Sequence, residues 1–265
     1  MLITISNEGK LEFFQGGLSL RSNVCIAHRG WSGVAPENTL ASIRMALEHP
    51  NIDGIEFDVQ LTKDQIPVVI HDYSLGRTTN GTGWVKDHTF AELRSLDAGG
   101  WFNKQFVGET IPSLEEVLIA NREKKWLNIE LKQMVASKEQ VLEEKVIRLI
   151  EQYDMEEHVI ITSFQHQSVY HVKRLAPRLQ VGPLIYGMPL LLHEQAQHIG
   201  ADVLSLAYPY LTQEIADQAR DWGFHIIAWT IDDPEHMRQV AEFGSHVHIC
   251  TNHPDRWFSK KGSTV

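Results

Sequence analysis

Along most of the chain, short runs of β-branched and other apolar residues alternate with longer stretches whose apolar positions recur at helical spacing. The β-type runs are Val24–Ala27, Gly54–Leu61, Ile66–Ile70, Leu127–Leu131, Val159–Thr162, Val181–Tyr186, Val203–Leu206, Phe224–Trp229 and Val247–Thr251. Between most of them lie helical patterns at Thr39–Glu48, Leu114–Glu123, Lys138–Tyr153, Gln167–Leu175, Leu190–Ile199, Gln213–Trp222 and Pro234–Phe243. Ser113 followed by Glu116 forms a capping-box start, and Pro234 suits a first helical turn. Such alternation predicts βαβ units and a parallel sheet.

Nine runs exceed by one the eight strands of a closed α/β barrel. Only Thr62–Gln65 separates Leu61 from Ile66. A parallel crossover needs about a dozen residues, so this pair reads as an antiparallel hairpin. Setting its return arm aside leaves the pattern of a TIM-type (β/α)8 barrel. A hairpin and an irregular insertion, about residues 62–112, follow the second strand. The insertion is rich in turn formers (Thr79–Gly83, Gly99-Gly100) and sits at a strand's C-terminal end, where barrel enzymes keep their chemistry. A doubly wound open sheet is the competing architecture. No Pro/Gly/Ser-rich linker divides the chain, so residues 1–265 read as one barrel domain.

With 43% hydrophobic and 22% charged residues, the 265-residue chain can bury a large core, which excludes global disorder. The net charge of −10 argues against a nucleic-acid binder. A small anionic substrate remains open if the site carries local cations or a metal. The first ten residues lack a basic segment followed by an apolar one, and the apolar stretch Pro183–Leu192 is broken by Gly187 and Pro189. Cys25 and Cys250 read as buried free thiols rather than a disulfide framework. The expectation is a soluble cytoplasmic protein without stable membrane insertion.

Ionisable residues gather at the ends of the first four β-type runs: His28-Arg29, Glu56 and Asp58, His71-Asp72, and Glu130 with Lys132. Glu56 and Asp58, two apart in a strand, share a face, and Glu130 comes from the adjacent barrel strand. Three converging carboxylates without cysteine suit a hard divalent cation, Mg²⁺ or Ca²⁺. A set of salt bridges with Arg29 and Lys132 is the alternative, but two cations leave one carboxylate uncompensated. His28 and His71 flank the trio, with hairpin pairing placing residue 71 roughly opposite residue 58, and two imidazoles there suit general acid and base. Arg29 and Lys132 are candidate phosphate contacts. Glu37 and Asn38, which open a helix after the first strand, are candidate substrate contacts, with Asn38 alternatively the N-cap. Phe164, Trp229 and Trp101 could wall a pocket. Gly30 and Gly33 permit close backbone approach without forming a dinucleotide fingerprint. Most of the fourteen histidines read as ordinary surface or core residues.

These segments resemble the glycerophosphodiester phosphodiesterase family, in the branch of cytosolic bacterial type. The matching residues are His28-Arg29-Gly30, Pro36–Thr39, Glu56–Asp64, Pro67–Asp72, Arg77–Gly81, Leu96–Gly99, Ile111–Glu116, Asn128–Lys132 and Ala228–Thr230. The resemblance implies a barrel that hydrolyses glycerophosphodiesters to sn-glycerol 3-phosphate and an alcohol. It also implies a divalent cation on Glu56, Asp58 and Glu130, acid and base roles for the two histidines, and phosphate contacts from Arg29 and Lys132. It allows a neighbouring glycerol hydroxyl to attack first, giving a cyclic phosphate that water opens. Thr251-Asn252 departs from the family's usual Thr-Asp, which points to an altered structural hydrogen bond. His246 and His248 share a strand face, yet lie far in sequence from the acids. Two other readings stand: a lysophospholipase D-like enzyme, which would want an apolar rim that the turn-rich insertion does not obviously supply, and a non-catalytic phosphodiester-binding protein, which predicts loss of a histidine or acid that is in fact present.

Overall fold

A computed structural model describes residues 23–121, 125–132 and 141–258. The predicted helix ends at 122–123 and 138–140, and the first ten residues, lie outside them. Eight parallel strands close a barrel: β1 (Cys25–His28), β2 (Gly54–Leu61), β4 (Trp126–Leu131), β5 (Val159–Ser163), β6 (Gln180–Ile185), β7 (Val203–Ala207), β8 (His225–Trp229) and β9 (Val247–Thr251). Each pairs with the next, and β9 pairs β1 to complete the ring. The hairpin's return arm, β3 (Pro67–Val69), runs antiparallel beside the outer half of β2.

Alternation along the strands decides what each layer contains. Ile55, Phe57 and Val59 of β2, with Leu127, Ile129 and Leu131 of β4, face outward. They pack against α1 (Leu40–Glu48), α3 (Leu114–Ala120) and α4 (Val141–Gln152). The opposite faces fill the barrel, and their character changes along its axis. Ile26, Ile160, Val203, Ile227 and Cys250 form an apolar cluster in the lower half. Glu56, Asp58, Asn128, Glu130 and Thr162 occupy the C-terminal half, all of them buried. The predicted capping box of α3 is present, and Pro234 opens α8 (Pro234–Ala241).

The hairpin register differs by one residue from the sequence expectation. Val59 faces Val69, and the Ile70 amide donates to the Asp58 carbonyl, so Ile70 rather than His71 stands opposite Asp58. The turn explains the shift: the Thr62 amide donates to the Ile66 carbonyl, and Gln65 adopts a left-handed φ of 61°. The turn therefore centres on Asp64. A one-residue offset reverses the face of the next side chain. His71 thus reaches the mouth because the chain leaves the sheet after Val69, not because β3 continues.

The insertion owns a small core of Val68, Ile70, Leu75, Val85, Leu93, Ala98 and Ile111. It also contains an unpredicted helix, α2 (Phe90–Arg94), with a Thr89–Glu92 capping box. Five residues are too few to show periodicity, and the same holds for α9 (Pro254–Phe258). The helix α6 (Leu192–Ile199) begins two residues later than expected, leaving Leu190 and Leu191 exposed after β6.

Lys125 ties α1 to the base of β4 by donating from Nζ to the carbonyls of Ala46, His49 and Ile52 at 3.3, 2.6 and 3.0 Å. Replacing it with Met removes charge-assisted bonds at a helix C-terminus and should cost about 2 kcal/mol of stability. Urea unfolding should show a lower midpoint at constant slope. An unchanged midpoint would mean that these bonds merely replace equivalent ones to water.

Candidate active site at the barrel mouth

Glu56 and Asp58 on β2 and Glu130 on β4 each bring a carboxylate oxygen within 4.8 Å of the others. The register makes this unavoidable, since Asp58 and Glu130 are direct parallel-strand partners and Glu56 lies one step below on the same face. Among the described residues this trio is the group of three or more acid, histidine or cysteine side chains close enough to share a metal ion. His246 and His248 do not join it: His246 contacts the Ala216 carbonyl, and His248 contacts His225 at 3.0 Å.

The protein's own cations cover part of the acidic charge. Lys132 Nζ lies 3.3 Å from Asp58 Oδ1 and 2.6 Å from Glu130 Oε1, while Arg29 Nε lies 3.4 Å from Asp58 Oδ2. Asp58 Oδ1 and Glu130 Oε1 are buried, and these ion-pair contacts lack hydrogen-bond geometry. The carboxyls divide accordingly. Burial works to raise the Asp58 pKa, but Lys132 and Arg29 outweigh it and hold Asp58 well below the usual range. Burial followed by repulsion from Asp58 pushes Glu130 up to about 7. Burial, with Asp58 and Glu130 alongside, lifts Glu56 well above its ordinary value. An all-oxygen donor set, with buried oxygens that the cations contact without hydrogen-bond geometry and with surplus negative charge, fits a hard divalent cation.

Each imidazole is held through Nδ1. His28 Nδ1 lies 2.7 Å from Asn252 Oδ1, and the Asn252 amide donates to Asp232 Oδ2 at 2.7 Å. That donation fixes which end of the Asn252 amide faces His28. Asn252 therefore does occupy a structural hydrogen bond, and the bond leads to a candidate catalytic residue. Gly33 permits it: its amide donates to the Asn252 carbonyl at 2.8 Å, and a Cβ there would sit 2.6 Å from that oxygen. Burial, reinforced by Arg29, lowers the His28 pKa to about 4, and its Nε2 lies 3.7 Å from Glu56 Oε2. His71 Nδ1 lies 2.7 Å from Asp72 Oδ1. Arg77, bonded to Asp72 at 2.6 and 3.0 Å, lowers the Asp72 pKa to about 2 against burial, with help from His71.

Several expected contacts have other partners. Thr39, not Asn38, is the N-cap of α1, accepting from the Ser42 amide. Asn38 instead adopts a left-handed φ of 58° and brackets Asp58, donating to Oδ2 at 2.8 Å while accepting from its amide at 3.2 Å. The Glu37 carboxylate is engaged by Arg29 at 2.7 Å and by Arg77 at 2.8 Å, so it orients two arginines. A cavity of about 450 Å³ opens beside the acids, lined by His71, Tyr73, Trp84, Glu130, Lys132 and Phe164 among others. Phe164 meets Trp229 edge-on at 5.6 Å, and the buried Trp229 indole N–H donates to no group among the described residues. Trp101 does not line the cavity; its indole donates to the Ala98 carbonyl. Tyr73 and Trp84 have no distinctive spacing that would single them out, while Gln60 and Arg77 lie within the family-like segments Glu56–Asp64 and Arg77–Gly81 without a role of their own there. Asp72 adjoins a candidate histidine, and that adjacency was the available signal.

Residues 28–256 match the glycerophosphoryl diester phosphodiesterase family. A glycerophosphodiester phosphodiesterase of Caldanaerobacter subterraneus subsp. tengcongensis is 43% identical over 221 residues, covering 83% of this chain and 90% of the relative. One of Bacillus altitudinis is 44% identical over 237 residues, covering 87% and 94%. An Oleispira antarctica phosphodiesterase, solved in complex with the product sn-glycerol 3-phosphate, superposes with a TM-score of 0.85 at 30% identity, covering 91% of this chain and 97% of that one. A closed barrel bearing this acid cluster, together with relatives matched over most of their length, places the chain in the glycerophosphoryl diester phosphodiesterase family.

Proposed function

We propose that this phosphodiesterase hydrolyses glycerophosphodiesters to sn-glycerol 3-phosphate and an alcohol, with Glu56, Asp58 and Glu130 holding Mg²⁺ or Ca²⁺ and with His28 and His71 as base and acid. The observation that carries the reading is the buried carboxylate trio, with His28 Nε2 3.7 Å from Glu56 and both imidazoles oriented through Nδ1. When bound, the cation supplies positive charge to phosphate oxygens as negative charge builds on them. Arg29 and Lys132 are the chain's own phosphate contacts in this reading. The complex of the Oleispira relative with sn-glycerol 3-phosphate supports the product assignment. Two buried cysteines, Cys25 and Cys250, suit a cytoplasmic setting.

The ring partners support a division of labour. Asn252 Oδ1 is an acceptor, so His28 carries its proton on Nδ1 and presents an unprotonated Nε2, the form a base requires. Burial, with Arg29 and Lys132 alongside, lowers the His71 pKa on balance, while Asp58 and the Asp72 carboxylate oppose that shift and favour the protonated ring required of an acid. His28 then takes the proton of the attacking glycerol hydroxyl as its oxygen bonds to phosphorus, the phosphorus–oxygen bond to the alcohol breaks, and His71 gives a proton to the departing oxygen. Water next adds to the cyclic phosphate, losing a proton to His71 while the released ring oxygen takes one from His28, which yields sn-glycerol 3-phosphate. Phe164 forms an apolar wall of the cavity, backed edge-on by Trp229.

A specific observation favours a second substrate, the single-chain lysophospholipids. The missing apolar rim comes from the loop after β6 rather than from the insertion. Tyr186, Met188, Leu190 and Leu191 are exposed there, Leu190 completely. Trp229 lies 6.4 Å from Tyr186 and 5.6 Å from Phe164, linking that loop to the cavity.

Glycerol 3-phosphate release from glycerophosphocholine and related diesters, with and without chelator, tests the main reading. Activity should disappear on chelation and return with Mg²⁺ or Ca²⁺; survival in chelator would remove the metal site. His28→Ala and His71→Ala should each slow turnover by at least about 10²-fold with the fold intact, and near-normal turnover in either would strip that residue of its role. Glu56→Gln should raise the metal concentration giving half-maximal activity by about tenfold or more, whereas an unchanged titration would count against ligation. For the second substrate, a lysophospholipid assayed below its micellar concentration should be hydrolysed, and Leu190→Ser should raise its KM without affecting glycerophosphocholine. Equal effects on both substrates would dismiss the rim.

A further inference from the structure

Gln60 is buried, lies on the same β2 face as Glu56 and Asp58, and belongs to neither the carboxylate trio nor the histidine pair. Its side-chain amide nitrogen donates to three consecutive carbonyls, those of Ile70, His71 and Asp72, at 2.9, 3.0 and 2.9 Å. Two N–H bonds thus serve three acceptors, so at least one is shared. The location is where the backbone has run out of sheet partners. The strand β3 ends at Val69, and the Ile70 amide makes the last ladder bond, to Asp58. Beyond it the chain turns into the insertion while carrying both His71 and the carboxylate that holds its ring.

We infer that Gln60 is the positioning residue of His71: one amide, fixed by the strand that bears Glu56 and Asp58, ties the backbone of residues 70–72 to the acid cluster. This rests on the acid role of His71 proposed above. The Asp72 contact fixes the rotation of the ring, and Arg77 ties the Asp72 side chain to Glu37, but neither contact holds the backbone that carries His71. Gln60 connects that segment to the rigid barrel. The bond donors face backbone oxygens, so any residue at 71 would be held alike, and the effect on catalysis arises only because that residue is His71. A displacement of about 1 Å at a catalytic group can cost about 10²-fold in rate.

The test compares kcat and KM with glycerophosphocholine for wild type, Gln60→Met, Gln60→Glu and His71→Ala, and for each Gln60 variant combined with His71→Ala. Met keeps the volume without donors, and Glu replaces donors with acceptors. Each single Gln60 variant should lower kcat by between about tenfold and a hundredfold with KM within about twofold of wild type. In the His71→Ala background the same substitutions should change the rate by less than about twofold, because the group they position is gone. Equal losses in both backgrounds, or a normal kcat, would overturn the proposal. Failure of both Gln60 variants to fold, checked by thermal melting, would assign Gln60 to the fold and overturn it equally. A His71→Ala enzyme with wild-type kcat has a different signature, since it withdraws the acid role itself.

Discussion

Repulsion among Glu56, Asp58 and Glu130 is the constraint around which the barrel mouth is organised. Two fully ionised carboxylates within 4.8 Å of each other, at an effective dielectric near 20, would repel by about 3 kcal/mol or more, and raised pKa values at Glu56 and Glu130 relieve that repulsion. Burial adds to the cost, because each carboxylate also loses hydration. Lys132 and Arg29 converge on Asp58 and keep it ionised, while Glu56 and Glu130 are left with raised pKa values. That imbalance destabilises the isolated fold and is the property that makes the site receptive to a doubly charged ion. The apolar cluster of Ile26, Ile160, Val203, Ile227 and Cys250 closes the barrel beneath, so the charge faces only the open end.

Holding two imidazoles beside such a cluster requires partners that set their orientation without competing for the acids. The chain solves this differently on its two sides. His28 stands at a barrel strand end and leans on Asn252, itself held by Asp232 from the segment after β8. His71 lies on a segment that has left the sheet and is held by Asp72, with Arg77 behind it. Glu37 connects the two sides, because Arg29 and Arg77 both bond to it. The insertion is therefore not an ornament on the barrel: its small core supports the turn that presents Asp72 and Arg77.

The Asn252 position shows how a departure from a family pattern acquires meaning only in three dimensions. A neutral amide in place of a carboxylate still accepts from His28 Nδ1, and its other end uses Asp232 as an anchor. The negative charge lies one residue further from the ring. The apolar loop after β6 teaches a similar lesson. Its leucines continue the helical pattern of α6 on paper, yet the helix begins at Leu192, and Leu190 and Leu191 face solvent.

What the amino-acid order determined unaided was everything carried by period and proximity. The β-to-α alternation implied the barrel, the short Thr62–Gln65 link implied the hairpin, and the two-residue spacing of Glu56 and Asp58 placed both on one face. Tertiary structure decided what depends on contacts between distant segments. The hairpin register slipped by one because a left-handed residue in the turn set its centre. Asn38 became a bracket for Asp58 rather than a cap, since Thr39 took that position first. Trp84 and Tyr73 came to line the cavity, and Trp101 did not, through the packing of the insertion. Local spacing constrains faces along one element, whereas the partners of an amide or carboxylate are chosen by whichever groups the closed barrel leaves within about 3 Å.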